Sequence, residues 1–161
     1  MNLDQGKELI ENAMTKRGLN PVEARTGEGG EWMLFMDGLE VYIDIWDEPG
    51  PSVWNFNTEN PPPVFQVIAV VSFLPKEKLK EFYEEILHLN FNLFDASFSV
   101  NSEENLFVVK HKSLSFGLTE DFVGFAIDSI GYYAHLAFKA LQEKYDLKKI
   151  EENFVTLLSS R

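Results

Sequence analysis

The residues that could catalyse a reaction or hold a metal are few and scattered along this chain. Its three histidines are His88, His111 and His135, and none has a second histidine or a carboxylate at the spacing of a helical metal motif such as H-E-x-x-H. Cysteine is absent, which excludes a thiolate metal site and a cysteine nucleophile. We therefore predict structural or surface histidines, no metal and no cofactor.

The densest group of acidic side chains is Asp44, Asp47 and Glu48, whose oxygens could bind a hard cation. Its spacing differs from that of an EF-hand loop, which needs alternating ligands, a central glycine and a terminal glutamate. A solvated acidic surface is the simpler interpretation. An enzyme that uses Asp44, Asp47 and His111 is the least favoured function class, and we predict no catalytic residues.

Four aromatic side chains give a binding signal: Tyr42, Trp46, Trp54 and Phe56. The first two fall on one face of a predicted strand, and the other two fall in the proline-rich segment that follows, which has no regular pattern. Tryptophan and tyrosine anchor protein interfaces because they bury a large area at a small loss of entropy. We predict that these four residues bind protein; the open alternative is that the segment folds back and the rings cover the sheet.

A set of small residues, Gly124, Gly131, Ala134 and Ala137, lies inside a predicted long helix. Glycine inside a helix costs about 1 kcal/mol relative to alanine, so two of them need a reason. Close packing against the sheet is the simplest one. A close helix–helix contact in a dimer is the alternative.

Length and charge restrict the class of protein. The 161 residues fit one domain with its own core, predicted to span residues 1–161. A net charge of −12 opposes binding to nucleic acid or to an anionic membrane, favours solubility and speeds encounter with a basic partner. The amino terminus lacks signal-peptide features and the longest apolar run, near 67–73, is too short to span a bilayer, so we expect a cytoplasmic protein.

The first half of the chain reads as one helix and three strands. The helix spans about 4–17, and a hairpin of strands near 31–36 and 40–46 follows, joined at Asp37-Gly38, a pair that tolerates positive φ. The strongest strand is 64–73, where Ile68 and Val70 share one face. Its other face carries Phe65, Val67, Ala69, Val71 and Phe73.

The second half begins with a helix that starts near Pro75, followed by a half-buried strand from Phe94 to Val100. A strand over 106–112 and a long helix capped by Thr119 come next. Residues 147–161 could form a separate terminal helix. The order is α-β-β-β-α-β-β-α, and we predict an α+β fold in which helices pack on an antiparallel sheet of about five strands.

The middle of the chain also carries a recognisable pattern. Its segments are 79–86 leading into Leu89-Asn90-Phe91, then 96–100, 105–109 and Gly117-Leu118-Thr119. They resemble the type III secretion chaperone-like fold, and more narrowly the YbjN family of bacterial sensory transduction regulators. The resemblance covers the order of elements over most of the chain, and residues from about Leu79 to Phe125.

The resemblance implies a non-enzymatic protein-binding module, either chaperone-like or a regulatory adaptor, that captures a polypeptide segment and forms an acidic homodimer. The expected partner is a protein or peptide segment, with a basic one favoured by the charge. The alternative is an immunity-type inhibitor that blocks a single protein through its acidic face. That function would show as one tight, salt-sensitive partner.

Overall fold

The computed structural model of this chain describes residues 1–27, 29–47 and 62–150. Its elements, in chain order, are α1 Leu3–Lys16, α2 Pro21–Ala24, β1 Glu31–Met36, β2 Leu39–Trp46, β3 Val64–Phe73, α3 Leu79–Asn90, β4 Ser97–Asn101, β5 Leu106–Leu114 and α4 Glu120–Tyr145. The predicted α+β order is confirmed, with α2 as one additional helical turn.

The five strands form one antiparallel sheet in the order β1-β2-β3-β5-β4. The β1–β2 ladder ends at the pair Met36 and Leu39, so that Asp37 and Gly38 alone make the turn. Both have positive φ, 52° and 76°, which is the backbone twist that a two-residue hairpin requires. The predicted Asp-Gly hairpin is therefore confirmed, and β3 lies at the centre of the sheet.

The helices pack on one side of the sheet, which we call the inner face. α4 crosses β3 with α1 beside it, and α3 packs against β4. Phe82 of α3 stands edge-on to Phe107 of β5, with ring centroids 5.0 Å apart, and to Tyr145 of α4, at 5.1 Å. These buried rings join α3, the sheet and the last turn of α4 into one core.

The two glycines of α4 make room for side chains from α1 and β1. A Cβ atom on Gly124 would meet the guanidinium of Arg17 at 1.5 Å, and one on Gly131 would meet Sδ of Met36 at 2.8 Å. Arg17 crosses α4 at this point and donates from Nε to Oδ2 of Asp128 at 3.2 Å. Gly131 thus lies against the end of β1, as the hypothesis of packing against the sheet predicts. Gly124 instead accommodates the side chain of Arg17, which follows α1.

The predicted inner-face position of Phe73 is wrong. The pairing of β3 with β5 shifts between Val70 and Ser72, which marks a β-bulge. A bulge adds one residue to a strand, so the alternation of faces reverses beyond it. Ser72 is consequently buried and Phe73 is exposed.

Two predicted boundaries are also wrong. Helix α3 begins at Leu79 rather than near Pro75, because Lys78 has a left-handed backbone (φ 55°, ψ 33°) that cannot continue a helix. Strand β4 begins at Ser97 rather than at Phe94, which is exposed, and the intervening Asp95 also has positive φ, 50°.

Helix α4 ends at Tyr145, where Asp146 adopts a left-handed backbone with φ 50°. The long helix therefore ends just before residue 147, where the predicted terminal helix would begin. Most of the predicted terminal helix falls on residues 151–161, outside the described residues. Among the helices of the described ranges, none is both long enough and apolar enough to cross a bilayer.

Asn90, the last residue of α3, closes the outer edge of β4. Its side-chain oxygen accepts a hydrogen bond from the backbone N–H of Phe98 at 2.6 Å, and its side-chain nitrogen donates to the carbonyl oxygen of Phe98 at 3.1 Å. Edge strands otherwise present unpaired backbone groups that recruit other chains. Asn90 takes the place of one residue of a pairing strand and ties α3 to the sheet.

Replacing Asn90 by Asp should lower the free energy of unfolding by about 1–3 kcal/mol, because a carboxylate keeps the acceptor but loses the donor to Phe98. Urea unfolding followed by circular dichroism would measure the loss. The matched control is Asn92→Asp, the same chemical change at an exposed position two residues away. Equal unfolding midpoints for the two variants would contradict this role of Asn90.

Candidate functional site

The face of the sheet turned away from the helices, the outer face, carries a second apolar cluster. Its members, which we call the outer-face cluster, are Tyr42, Ile68, Val70, Leu106 and Val108. They come from the three central strands, and the alternation of each strand points them away from the main core. Their exposed fractions are only 1–9%, comparable with those of the main core.

Polar and aromatic side chains border this cluster along β2, β3 and β5. Asp44, Gln66 and Lys112 are register partners, so they form one row across the outer face. The side-chain amide of Gln66 donates to Oδ2 of Asp44 at 3.2 Å. The ammonium of Lys112 lies 4.9 Å from the centroid of the Trp46 ring, a cation–π contact. The outer-face cluster therefore ends in a row that offers charge and an aromatic surface.

A buried tyrosine–carboxylate pair lies within the outer face. The phenol of Tyr42 donates to Oε2 of Glu40 at 2.5 Å, and both side chains are buried. Burial, and secondly the hydrogen bond to Glu40, raise the pKa of Tyr42 well above its ordinary value of 10.0. The phenol thus remains a donor at neutral pH. The pair places a carboxylate next to the apolar side chains of the outer-face cluster.

The structure places two of the four predicted site residues on the outer face. Tyr42 and Trp46 lie four residues apart on β2, as the alternation predicts, with Tyr42 buried and Trp46 half-buried. Trp54 and Phe56 lie outside the described residues. Their assignment to protein binding stays a prediction.

Two members of the outer-face cluster, Leu106 and Val108 of β5, are not among the residues predicted from the sequence. The signal that could have found them is the run from Leu106 to Val109, in which every residue is apolar. Such a run indicates a strand buried on both faces. It implies apolar side chains on the outer face as well as against the helices.

The candidate catalytic combination is not assembled. His111 lies on the inner face beside the ring of Phe122, with Nδ1 2.6 Å from the carbonyl oxygen of Asp95 and Nε2 2.9 Å from Oγ of Ser113. Asp44 lies on the outer face, so the sheet separates the two side chains. Within the described ranges, no group of three or more acidic, histidine or cysteine residues could hold a metal ion.

An ion pair holds α3 against α4 at an open cleft. Nζ of Lys144 donates to Oε2 of Glu85 at 2.6 Å, and the phenol of Tyr145 donates to the same oxygen at 2.5 Å. Burial disfavours the charged form of Glu85, but the two hydrogen bonds outweigh that effect and lower its pKa. The arrangement fixes the two helices to each other and gives the cleft a structural role.

Three solved structures have the same fold. A chain of the ExsC–ExsE complex has a TM-score of 0.60 and 14% sequence identity, covering 88% of this chain and 97% of that chain. A chain of the HopA1–SchA chaperone–effector complex has a TM-score of 0.57 and 7% identity, covering 83% and 92%. A chain of the complex between the Yersinia pestis type III secretion chaperone SycH and a stable fragment of YscM2 has a TM-score of 0.54 and 15% identity, covering 81% and 97%.

The chain therefore has the type III secretion chaperone-like fold, which confirms the broader of the two resemblances. No family model matches the chain, and a comparison with curated proteins gives no match. The narrower resemblance to the YbjN family stays a prediction.

The Tyr42–Glu40 pair can be tested by replacing Tyr42 with Phe. We expect the free energy of unfolding to fall by about 1.5–3 kcal/mol at pH 7, because the buried carboxylate loses a donor while the ring keeps its packing. Urea unfolding measures the change. Tyr132→Phe, at an exposed tyrosine on α4, is the matched control, and an equally small loss in both variants would contradict the role given to the pair.

Proposed function

We propose that this protein is a non-enzymatic, chaperone-like protein that captures an extended segment of a partner polypeptide on the outer face of its sheet. The observation that carries the proposal is the outer-face cluster, an apolar surface on the side opposite the helices, bordered by Trp46 and the Asp44 row. Apolar surface bordered by polar groups is typical of protein interaction sites. The side chains of the cluster are only 1–9% exposed, so a partner segment must first uncover them.

The geometry of the outer face favours an extended segment over a rigid globular surface. Neighbouring strands lie about 4.8 Å apart, and alternate side chains of an extended segment recur at about 6.6 Å. A segment that crosses the strands on a diagonal takes a longer step from strand to strand than the spacing between them, and could set its apolar side chains on Tyr42, Ile68 and Val108. Its alternate side chains would point away from the apolar side chains, and long basic ones could bend back toward the carboxylates that border the cluster.

Charge favours a segment that carries basic residues. The carboxylates of Glu40 and Asp44 lie on the outer face, and the whole chain has a net charge of −12. A lysine or arginine beside the apolar side chains would offset a carboxylate that is partly withdrawn from water. The long-range field would also speed encounter with such a partner.

The structures with the same fold support a protein partner, since each comes from a complex of two different proteins. Two of these complexes contain a chaperone, SchA or SycH. The resemblance to the YbjN family adds a regulatory adaptor as the finer form of the same function. We assign Tyr42, Trp46, Trp54 and Phe56 to the contact with the partner.

The homodimer is part of this proposal. Leu87, Phe91 and Phe94 follow one another at the spacing i, i+4, i+7, and their exposed fractions are 69%, 88% and 75%. Phe91 still has a helical backbone, with φ −62° and ψ −22°, so Leu87 and Phe91 share one face. A stripe of large apolar side chains left to water is costly, and a second copy of the same stripe would cover it.

Peptide binding tests the capture of a segment. Labelled peptides that alternate leucine with lysine should bind more tightly than peptides that alternate leucine with glutamate, as measured by fluorescence anisotropy. Trp46→Ala should weaken the binding of the leucine–lysine peptide by about 2 kcal/mol, or roughly thirtyfold in Kd, because an aromatic anchor is lost. Tyr132→Ala, an exposed aromatic residue on α4, is the control.

Equal binding by the Trp46 and Tyr132 variants would contradict the assigned surface. Absence of peptide binding together with one tight, salt-sensitive folded partner would favour the inhibitor instead.

Light scattering tests the dimer. At micromolar concentration the protein should have the mass of two chains, and Phe91→Ser should shift it to the mass of one, because the stripe loses its most exposed ring. Phe125→Ser, at an exposed phenylalanine on α4, should leave the mass unchanged. A protein that is monomeric before any substitution would contradict the dimer.

A further inference from the structure

The outer-face cluster is buried although the described helices lie on the other side of the sheet. Two apolar side chains pack against it: Met33, its neighbour on β1, and Ile150. Ile150 is the last described residue, so the chain passes onto the outer face where residues 151–161 begin.

The path of the chain after α4 explains how it arrives there. Tyr145 and Leu147 belong to the main core on the inner face. Nζ of Lys149 lies 3.4 Å from the carbonyl oxygen of Asp37, at the β1–β2 turn. Ile150 then contacts the outer-face cluster. Residues 147–150 therefore run from one face of the sheet to the other around the β1–β2 turn.

Residues 151–161, EENFVTLLSSR, have the composition of a segment that could cover this face. Four of them are apolar: Phe154, Val155, Leu157 and Leu158. Eleven extended residues reach about 36 Å, whereas a sheet of five strands is only about 19 Å wide. Length does not prevent the segment from crossing the whole outer-face cluster.

The charges at the start of residues 151–161 also favour docking on the outer face. Glu151 and Glu152 follow directly after Ile150. Lys110 and Lys112 belong to the outer face of β5, as their register partners Ile68 and Gln66 of β3 show. The outer face therefore carries two lysines as well as the carboxylates of Glu40 and Asp44, and the two lysines offer Glu151 and Glu152 opposite charges.

We propose that residues 151–161 dock on the outer-face cluster of their own chain and compete there with the partner segment. The docking of residues 151–161 is inferred from the position of Ile150 and from the composition of the segment. Their competition with a partner rests, in addition, on the proposed function. A segment joined directly to its site has a high effective concentration, commonly in the millimolar range. A partner must displace it, and the apparent affinity for the partner falls in proportion to the fraction of time the face is free.

Thiol reactivity tests docking without any partner. The sequence contains no cysteine, so Val108→Cys introduces a single thiol into the outer-face cluster. In this background Leu157→Asp/Leu158→Asp should release the segment, whereas Ser159→Asp/Ser160→Asp adds the same charge and leaves its apolar residues intact. If the segment covers the face nine-tenths of the time, Leu157→Asp/Leu158→Asp should raise the rate of thiol labelling roughly tenfold. Ser159→Asp/Ser160→Asp should leave that rate unchanged.

A synthetic peptide of sequence EENFVTLLSSR, added to the Leu157→Asp/Leu158→Asp protein, should restore protection of the thiol. Equal labelling rates in the two double variants, with no effect of the peptide, would overturn docking. Labelling that slows as protein concentration rises would identify a second copy as the cover, and would overturn it too. If Val108→Cys does not fold by circular dichroism, Ser99→Cys, its register partner on β4, carries the same test.

The competition is tested with the lysine-containing peptide. Leu157→Asp/Leu158→Asp should lower the Kd of this peptide several-fold. The factor is the inverse of the fraction of time for which the face is free in the unsubstituted protein. Tighter binding only in the serine control would contradict competition. The thiol could be labelled slowly, and faster in Leu157→Asp/Leu158→Asp, in a protein that binds no peptide. That result would support docking and refute the proposed function alone.

Discussion

Burial of β3 on both of its faces is the constraint on which the rest of the structure depends. Nine of its ten residues are buried, and only Phe73, beyond the bulge, is exposed. Side chains of a strand alternate between faces, so this strand requires an apolar layer on each side of the sheet. α1 and α4 supply one layer. The second layer begins with Ile150, which packs against the outer-face cluster.

The inner layer is built by fitting helices closely to one another as well as to the sheet. Gly124 and Gly131 lack the Cβ atoms that would displace Arg17 and Met36, so α4 can lie against α1 and the end of β1 at once. At the other edge, Asn90 bonds both backbone groups of Phe98 and holds α3 beside β4. This contact pairs the backbone groups of one residue on an edge strand that would otherwise leave them open.

How much of this the sequence could predict depends on the range of the interactions. The Asp37-Gly38 turn follows from local preference, and the same-face placement of Tyr42 and Trp46 follows from the period of two, so both could be predicted. The bulge after Val70 could not, because it is set by pairing with β5, far along the chain. The burial of Tyr42 also depends on residues far apart in the sequence, because Ile150, near the opposite end of the chain, packs on the outer-face cluster.

The Tyr42–Glu40 pair bears on which occupant the outer face prefers. A polar group inside an apolar cluster needs a hydrogen-bond partner, and the phenol of Tyr42 supplies one donor to the carboxylate of Glu40. Residues 151–161 contain a single basic residue, Arg161, and two glutamates. A segment with lysine or arginine beside its apolar residues would compensate Glu40 and Asp44 better. Specificity is a difference of affinities, so an internal occupant with few basic residues would yield to a basic partner and exclude a neutral or acidic one.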